Sequence, residues 1–348
     1  MKRTIGFVAG VVVLLAVTTG CSKSAPKASG AAAPVKAVEL KLNVTTVETS
    51  SWTEGARRFA ALIKERTGGR YTVAIYPNEQ LAAGDQTGTL AMFYQDSGII
   101  DIDIHSAMLH NNQIPELTVC FMPWIFSKGN ASVDEILFAP NAPGGKVIMD
   151  YIAKKGPVPL ALGENGFRQI TNNRRPIAKV EDFRNLKMRV PAVPILTDLF
   201  KLLGSDPTAM SFSEVFTALQ QNTIDGQENP LGIIQSSKLN EVQKYLTVCN
   251  YCYDPIVLAV SNKRWASLSD DDKKIFQQSA TDAMKYQVEY NRDVDAKVLD
   301  ALKAGGMQVN EMTPAEIAAF QSALAPLYKT YMDRLGPELF AAFGYKAN

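Results

Sequence analysis

The sequence predicts an α/β protein of two similar lobes braced by long C-terminal helices, and three observations lead there. Strand-like and helix-like segments alternate along residues 38–105 and again along 158–229. Two long, charge-poor extended stretches, near 158–172 and 245–261, are placed to cross between the halves. From Asp270 onward the pattern is almost wholly helical. At 348 residues, 46% hydrophobic and 20% charged, the chain has globular composition and length for two lobes of ordinary domain size.

Each element has its own signal. "VELKLNVTTV" (38–47) reads as a strand, and "WTEGARRFAALIKERTGG" as an amphipathic helix with Phe59, Leu62 and Ile63 on one side and Gly68-Gly69 as its stop. "RYTVAIYP" is a strand, "DQTGTLAMFYQDSG" a helix and "IIDIDIH" a strand, an alternation that predicts a parallel sheet with helices on both faces. The rhythm returns in "PLALGENGFRQITNN", "LKMRV", the helix "VPILTDLFKLLG", "DPTAM", the helix "FSEVFTALQQN" and "TIDGQEN". Late helices run from Asp270 to about Ala304 and through "PAEIAAFQSALAPLYKTYMDRLG". The expected organisation is lobe I at 38–160, lobe II at 161–248, and a return strand with bracing helices at 249–348. A cleft between such lobes, lined by strand ends, is where these folds bind ligands.

The N-terminus carries an address. Lys2 and Arg3 precede an apolar run from Ile5 to Val17, too short for a stop-transfer helix, so residues 1–20 read as an export signal. Gly20 before Cys21 resembles a lipoprotein processing site, with Cys21 as the lipidated residue and 21–37 as a flexible tether. Cleavage near Ala31–Ala33, giving a free periplasmic protein, is the alternative. The membrane would then be touched only through a lipid anchor. Lys plus Arg is 36 against 35 Asp plus Glu, with no basic stripe for nucleic acid and no acidic tail, which points to a small partner. Cys249 and Cys252 fall in a strand-like stretch, where three residues span roughly 10 Å, beyond disulfide reach. They read, with Cys120, as buried thiols.

The chain has no Walker A loop, no glycine fingerprint for dinucleotides, no nucleophile elbow and two histidines only, His105 and His110, so neither an enzyme nor a cofactor is indicated. Asp101, Asp103 and His105 share a strand face and read as polar residues at a strand end opening into the cleft rather than as a metal site. In "NLKMRVP" the alternation of Leu186, Met188 and Val190 marks a buried strand, yet Arg189 sits inside it. A guanidinium there is either paired by protein or open to a ligand, unless the strand is an edge with Lys187 and Arg189 in water. Arg168 in "GFRQIT" poses the same question. A planar fork suits a carboxylate. Ser211 and Glu214 have capping-box spacing, which puts Phe212 at the first helical position, and Asn229 before Pro230 has the look of an N-cap.

"KERTGGRYTVAIYPNEQL", "NGFRQITNNRRPI", "DFRNLKMRVP" and "MSFSEVFTALQQNTIDGQENP" together resemble the substrate-binding proteins of tripartite ATP-independent periplasmic (TRAP) transporters, the family with dicarboxylate- and sialic-acid-binding members. The likeness runs from about Val38 to Trp265, and more loosely beyond. It implies a two-lobed type II periplasmic solute-binding fold that closes on a small organic anion and delivers it to an ion-gradient-driven membrane permease. By that resemblance Arg189 makes the principal salt bridge to the ligand carboxylate, Arg168 is a second anion contact, Asn229 also reaches the carboxylate and Phe212 packs on the ligand body. His105 stands where sialic-acid binders have Glu, which speaks against sialic acid. Asp85 matches a loop position that can touch polar ligands, and Trp52 and Tyr251 align as cleft-facing, although packing aromatics are the alternative for both. A binding module of this fold serving a sensor, or carrying a non-anionic apolar ligand, is the competing function.

Overall fold

The structure is a computed structural model describing residues 37–345, so the export signal, Cys21 and nearly all of the tether lie outside the described residues. Among the described residues nine strands form one sheet: β1 (Val38–Val44), β2 (Tyr71–Tyr76), β3 (Ile102–Ser106), β4 (Val158–Asn172), β5 (Lys187–Val190), β6 (Asp206–Ala209), β7 (Gly226–Pro230), β8 (Tyr245–Val260) and β9 (Gln308–Glu311). Their order is β2-β1-β3-β8-β4-β7-β5-β6, with β9 beside β8.

β4 and β8 are the two charge-poor stretches expected to cross the protein. They run antiparallel from Val158↔Val260 to Asn172↔Tyr245, with β3 beside β8 at one end and β7 and β9 at the other. Their presence corrects the expected parallel sheet to a mixed one. Pairs within each half (β1–β2, β1–β3, β5–β6, β5–β7) are parallel, whereas β3–β8, β4–β7 and β4–β8 are antiparallel. A strand leaving one half and a neighbour returning to it must run in opposite directions.

Alternation along these strands feeds two hydrophobic cores, one on each face of the sheet. Ile256, Leu258 and Val260 join Leu40, Leu42, Ile102 and Ile104, while Val257 and Ala259 join the core that holds Leu186, Met188 and Val190. The 35-residue helix Asp270–Ala304, capped by Ser269, lies against the helix Ser51–Arg66 and against β4, as a brace should. Its Gln287 accepts from the Glu164 N–H (2.8 Å) and donates to the Glu164 carbonyl (2.7 Å). There β4 slips register between Glu164 and Gly166, and Gly166 takes a φ of 112° that glycine alone adopts freely.

Cys120, Cys249 and Cys252 are free and buried. The helix Phe212–Gln220 starts where expected, but the capping box does not form: Ser211 makes no side-chain capping bond, and the Glu214 N–H bonds the Ser211 carbonyl instead. No helix among the described residues is long and apolar enough to cross a membrane.

Candidate functional site

β5 lies between β6 and β7, so the edge-strand alternative for Arg189 does not hold. The Arg189 side chain is 1% exposed, and its Nε and Nη2 donate to the Met210 carbonyl (3.0 and 2.6 Å). Among the described residues no carboxylate forms a salt bridge with it. Burial therefore pulls the guanidinium down to about 9, further than Glu228 can restore, and the charge of Arg168 adds to the effect. Its guanidinium carbon sits 5.9 Å from the centre of the Phe212 ring.

Arg168 answers the same question the other way. On β4 and 3% exposed, it donates through Nε and Nη2 to the Glu228 carboxylate, through Nη2 to the Glu228 carbonyl (2.7 Å) and through Nη1 to Asp254 Oδ2 (2.9 Å). Burial works against its charge, but Glu228 and Asp254 outweigh it and raise its pKa. Of the two arginines, one is paired by its own chain and one is not.

Both border a cavity open to solvent on one side, together with Trp52, Phe212, Asn229 and Asp254. Trp52, Gln86 and Phe212, which border it, each stand in the first turn of a helix. Trp52 Nε1 donates to Asn165 Oδ1 (3.0 Å). The capping reading of Asn229 is corrected: β7 continues through Pro230, the next helix begins at Leu231, and Asn229 Nδ2 donates to Gln227 Oε1 (2.5 Å).

Three expected residues stand elsewhere. Asp85 is the N-cap of the helix Gln86–Tyr94, its Oδ1 accepting from the Gly88 N–H (3.0 Å), and the next residue, Gln86, is the one at the cavity. Tyr251 is buried against Trp124 and Phe200, and its hydroxyl donates to Glu228, so it supports the Arg168 network from behind. His105 is fully buried beside Asp103 (3.3 Å) and Glu79 (3.8 Å), with Thr45 Oγ1 at 3.3 Å, while Ser106, pointing oppositely, reaches the cavity and donates to Asp254 (2.5 Å). Asp101 turns away to Arg264, and among the described residues no three His, Cys, Asp or Glu side chains gather as metal ligands. Sequence reasoning missed Gln86, Ser106, Asn165 and Asp254. For the first two, the helix-start pattern and strand alternation carried the signal.

A cavity at the junction of two half-sheets, with a buried guanidinium that no carboxylate among the described residues answers, is the site a solute-binding protein needs. The family model for bacterial extracellular solute-binding protein, family 7 (DctP) matches residues 42–335. The C4-dicarboxylate-binding periplasmic protein DctP of Rhodobacter capsulatus is 30% identical over 290 residues, covering 83% of this chain and 85% of its own. A TRAP periplasmic solute-binding protein from Ralstonia eutropha H16, solved with (S)-2-acetolactate bound, superposes with a TM-score of 0.83 at 33% identity, over 88% of this chain and 98% of the other. Another, from Polaromonas sp. JS666 with D-erythronate bound, gives a TM-score of 0.82 at 33% identity over 89% and 99%. This chain belongs to bacterial extracellular solute-binding protein family 7, the periplasmic binding proteins of TRAP transporters, and is not an enzyme.

Proposed function

We propose that the protein captures a small organic carboxylate in this cavity and hands it to a TRAP membrane permease driven by an ion gradient. The observation that carries the reading is Arg189: a buried guanidinium whose only hydrogen bonds among the described residues go to one carbonyl, and whose charge a guest anion would complete. An apolar guest would leave that charge buried and unanswered, an expensive arrangement. D-erythronate and (S)-2-acetolactate in the two related proteins are small carboxylates of this kind. In this reading Arg189 grips the carboxylate through its fork, Asn229 adds a hydrogen bond through its second Nδ2 proton, Arg168 supplies its remaining Nη1 proton, and Phe212 and Trp52 cover the carbon body. Charge-assisted bonds contribute about 1.5–3 kcal/mol each, so three of them approach the roughly 8 kcal/mol of micromolar binding. Residues 38–160 and 161–248 act as lobes that close about β4 and β8, and export with lipidation at Cys21 would hold the protein at the membrane.

The test is titration calorimetry with D-erythronate, (S)-2-acetolactate and succinate. Arg189→Ala is expected to abolish binding. Arg189→Lys should weaken it at least 100-fold, because an ammonium keeps the charge and loses the fork. Undiminished affinity in either variant refutes the assignment.

A further inference from the structure

We infer that the solute is a monocarboxylate bearing a neutral hydroxyl or keto oxygen, and that the site discriminates against dicarboxylates; this rests on the proposal that Arg189 receives the carboxylate. The charge around the cavity decides it. The charged side chains at its wall are Arg189, Arg168 and Asp254, with Glu228 directly behind. Arg168 is already answered by Glu228 and Asp254. Asp254 accepts from three donors, Ser106 Oγ on Oδ1 (2.5 Å) and Asn165 Nδ2 (2.7 Å) and Arg168 Nη1 (2.9 Å) on Oδ2, which work against the burial that raises its pKa. One guest carboxylate therefore satisfies Arg189, and a second meets no uncommitted cation. It would instead lie beside Asp254 and Glu228, two acidic groups that share the one guanidinium of Arg168, where like charges repel. His105 does not change this count, since Asp103 and Glu79 already flank it and it does not border the cavity.

The uncharged wall says what else the guest carries. Gln86 is 6% exposed and its Oε1 accepts from the Phe212 N–H (2.8 Å), which leaves Nε2 without a partner among the described residues. Asn229 is the complement, with Nδ2 given to Gln227 and Oδ1 without a partner among the described residues. The other uncharged polar side chains at the wall, Thr45, Thr46, Ser106 and Asn165, already have hydrogen-bond partners within the protein, so the unmatched donor of Gln86 and acceptor of Asn229 suit a hydroxyl, which both accepts and donates, or a keto oxygen that accepts from Gln86. A site built to hydrogen-bond an oxygen discriminates against the analogue that lacks it.

Titration calorimetry on the whole protein with lactate, D-erythronate, (S)-2-acetolactate, butanoate, succinate and L-malate tests this. The best hydroxy or keto monocarboxylate is expected to bind at least 100-fold more tightly than succinate or L-malate, and at least tenfold more tightly than butanoate. Gln86→Leu should cut the preference over butanoate about tenfold, read as the ratio of the two affinities so that any general loss from freeing the Phe212 N–H cancels. Succinate or L-malate binding as tightly as the best monocarboxylate, butanoate matching it, or a Gln86→Leu protein with its preference intact each overturns the inference. Dicarboxylate binding that still depends on Arg189 would sink this inference and leave the proposed function standing. Failure of all six acids to bind would remove both.

Discussion

Replacing His105 with Asn should change how the protein's stability depends on pH, in a direction the structure fixes. The imidazole is completely buried, which opposes its charge. Asp103 and Glu79, with Asp254 beyond, outweigh that and push its pKa up to about 9. In the unfolded chain a histidine titrates near ~6.5. A folded pKa above the unfolded one means that the imidazolium stabilises the fold fully below about pH 6.5, and that the contribution fades as pH rises through about 9. The gap is worth about 3 kcal/mol, and a folded body of roughly 310 residues unfolds with about 0.65 kcal/mol/K of entropy, so the effect on Tm is about 5 °C. His110 does not blur the picture. Burial, helped by the charge of His105, lowers its pKa to about 3, and it stays neutral throughout the window. Asp295, pushed up to about 7 by burial, titrates inside the window but equally in both proteins. Asn keeps a donor near the Nδ1 position, so the charge is the main thing lost. Scanning calorimetry from pH 6 to 9.5 should show wild type leading His105→Asn by its largest margin at pH 6, and the margin shrinking by about 5 °C toward pH 9.5. A margin that stays flat, or widens with pH, would mean the imidazole is neutral in the folded protein.

The network behind the cavity yields further expectations. Glu228→Gln leaves Asp254 as the only carboxylate on Arg168, and the loss of one partner from a buried ion cluster should cost about 3 kcal/mol, read as a Tm lowered by about 5 °C; an unchanged Tm would show that Asp254 suffices. Tyr251→Phe removes one hydroxyl donor to Glu228 and should cost about 1–2 kcal/mol while carboxylate affinity in calorimetry changes less than threefold; a tenfold loss would bring Tyr251 back into the site. Asp85→Ala removes a helix cap, so urea unfolding should record a loss of about 1 kcal/mol and calorimetry an unaltered affinity.

Much of the fold was legible because periodicity is local. The alternation of Leu186, Met188 and Val190, the amphipathic Ser51–Arg66 and the charge-poor runs at 158–172 and 245–261 each announce an element without reference to the rest of the chain. Strand direction is not local, and the mixed character of the sheet escaped. At the site the differences between the expected residues and those at the cavity have one form: a shift along the chain to a neighbour with a different orientation. Asp85 was expected and Gln86 is at the cavity, because the cap closes the helix and the first helical residue points outward from it. His105 was expected and Ser106 is there, because adjacent strand residues face opposite ways. Around Tyr251 the displacement is larger: β4 and β8 shift register between Arg168 and Ile170, and Asn250 takes a φ of 44°, so the residue of β8 that reaches the cavity is Asp254. A bulge of that kind leaves little trace in periodicity.

Arg168 and Arg189 show why a site is harder to read than a fold. Both are buried arginines in apolar strands, and nothing in "GFRQIT" or "LKMRV" separates their roles. The difference lies in residues 60 and 86 positions away from Arg168, Glu228 and Asp254, which the sheet brings to one guanidinium and not to the other. Two uncompensated guanidiniums around one small cavity would repel each other, and the closed arrangement would be strained before any guest arrived. With Arg168 neutralised it becomes a tie between β4, β7 and β8. The positive charge that remains unanswered is then confined to Arg189, so a guest that brings one negative charge completes the site.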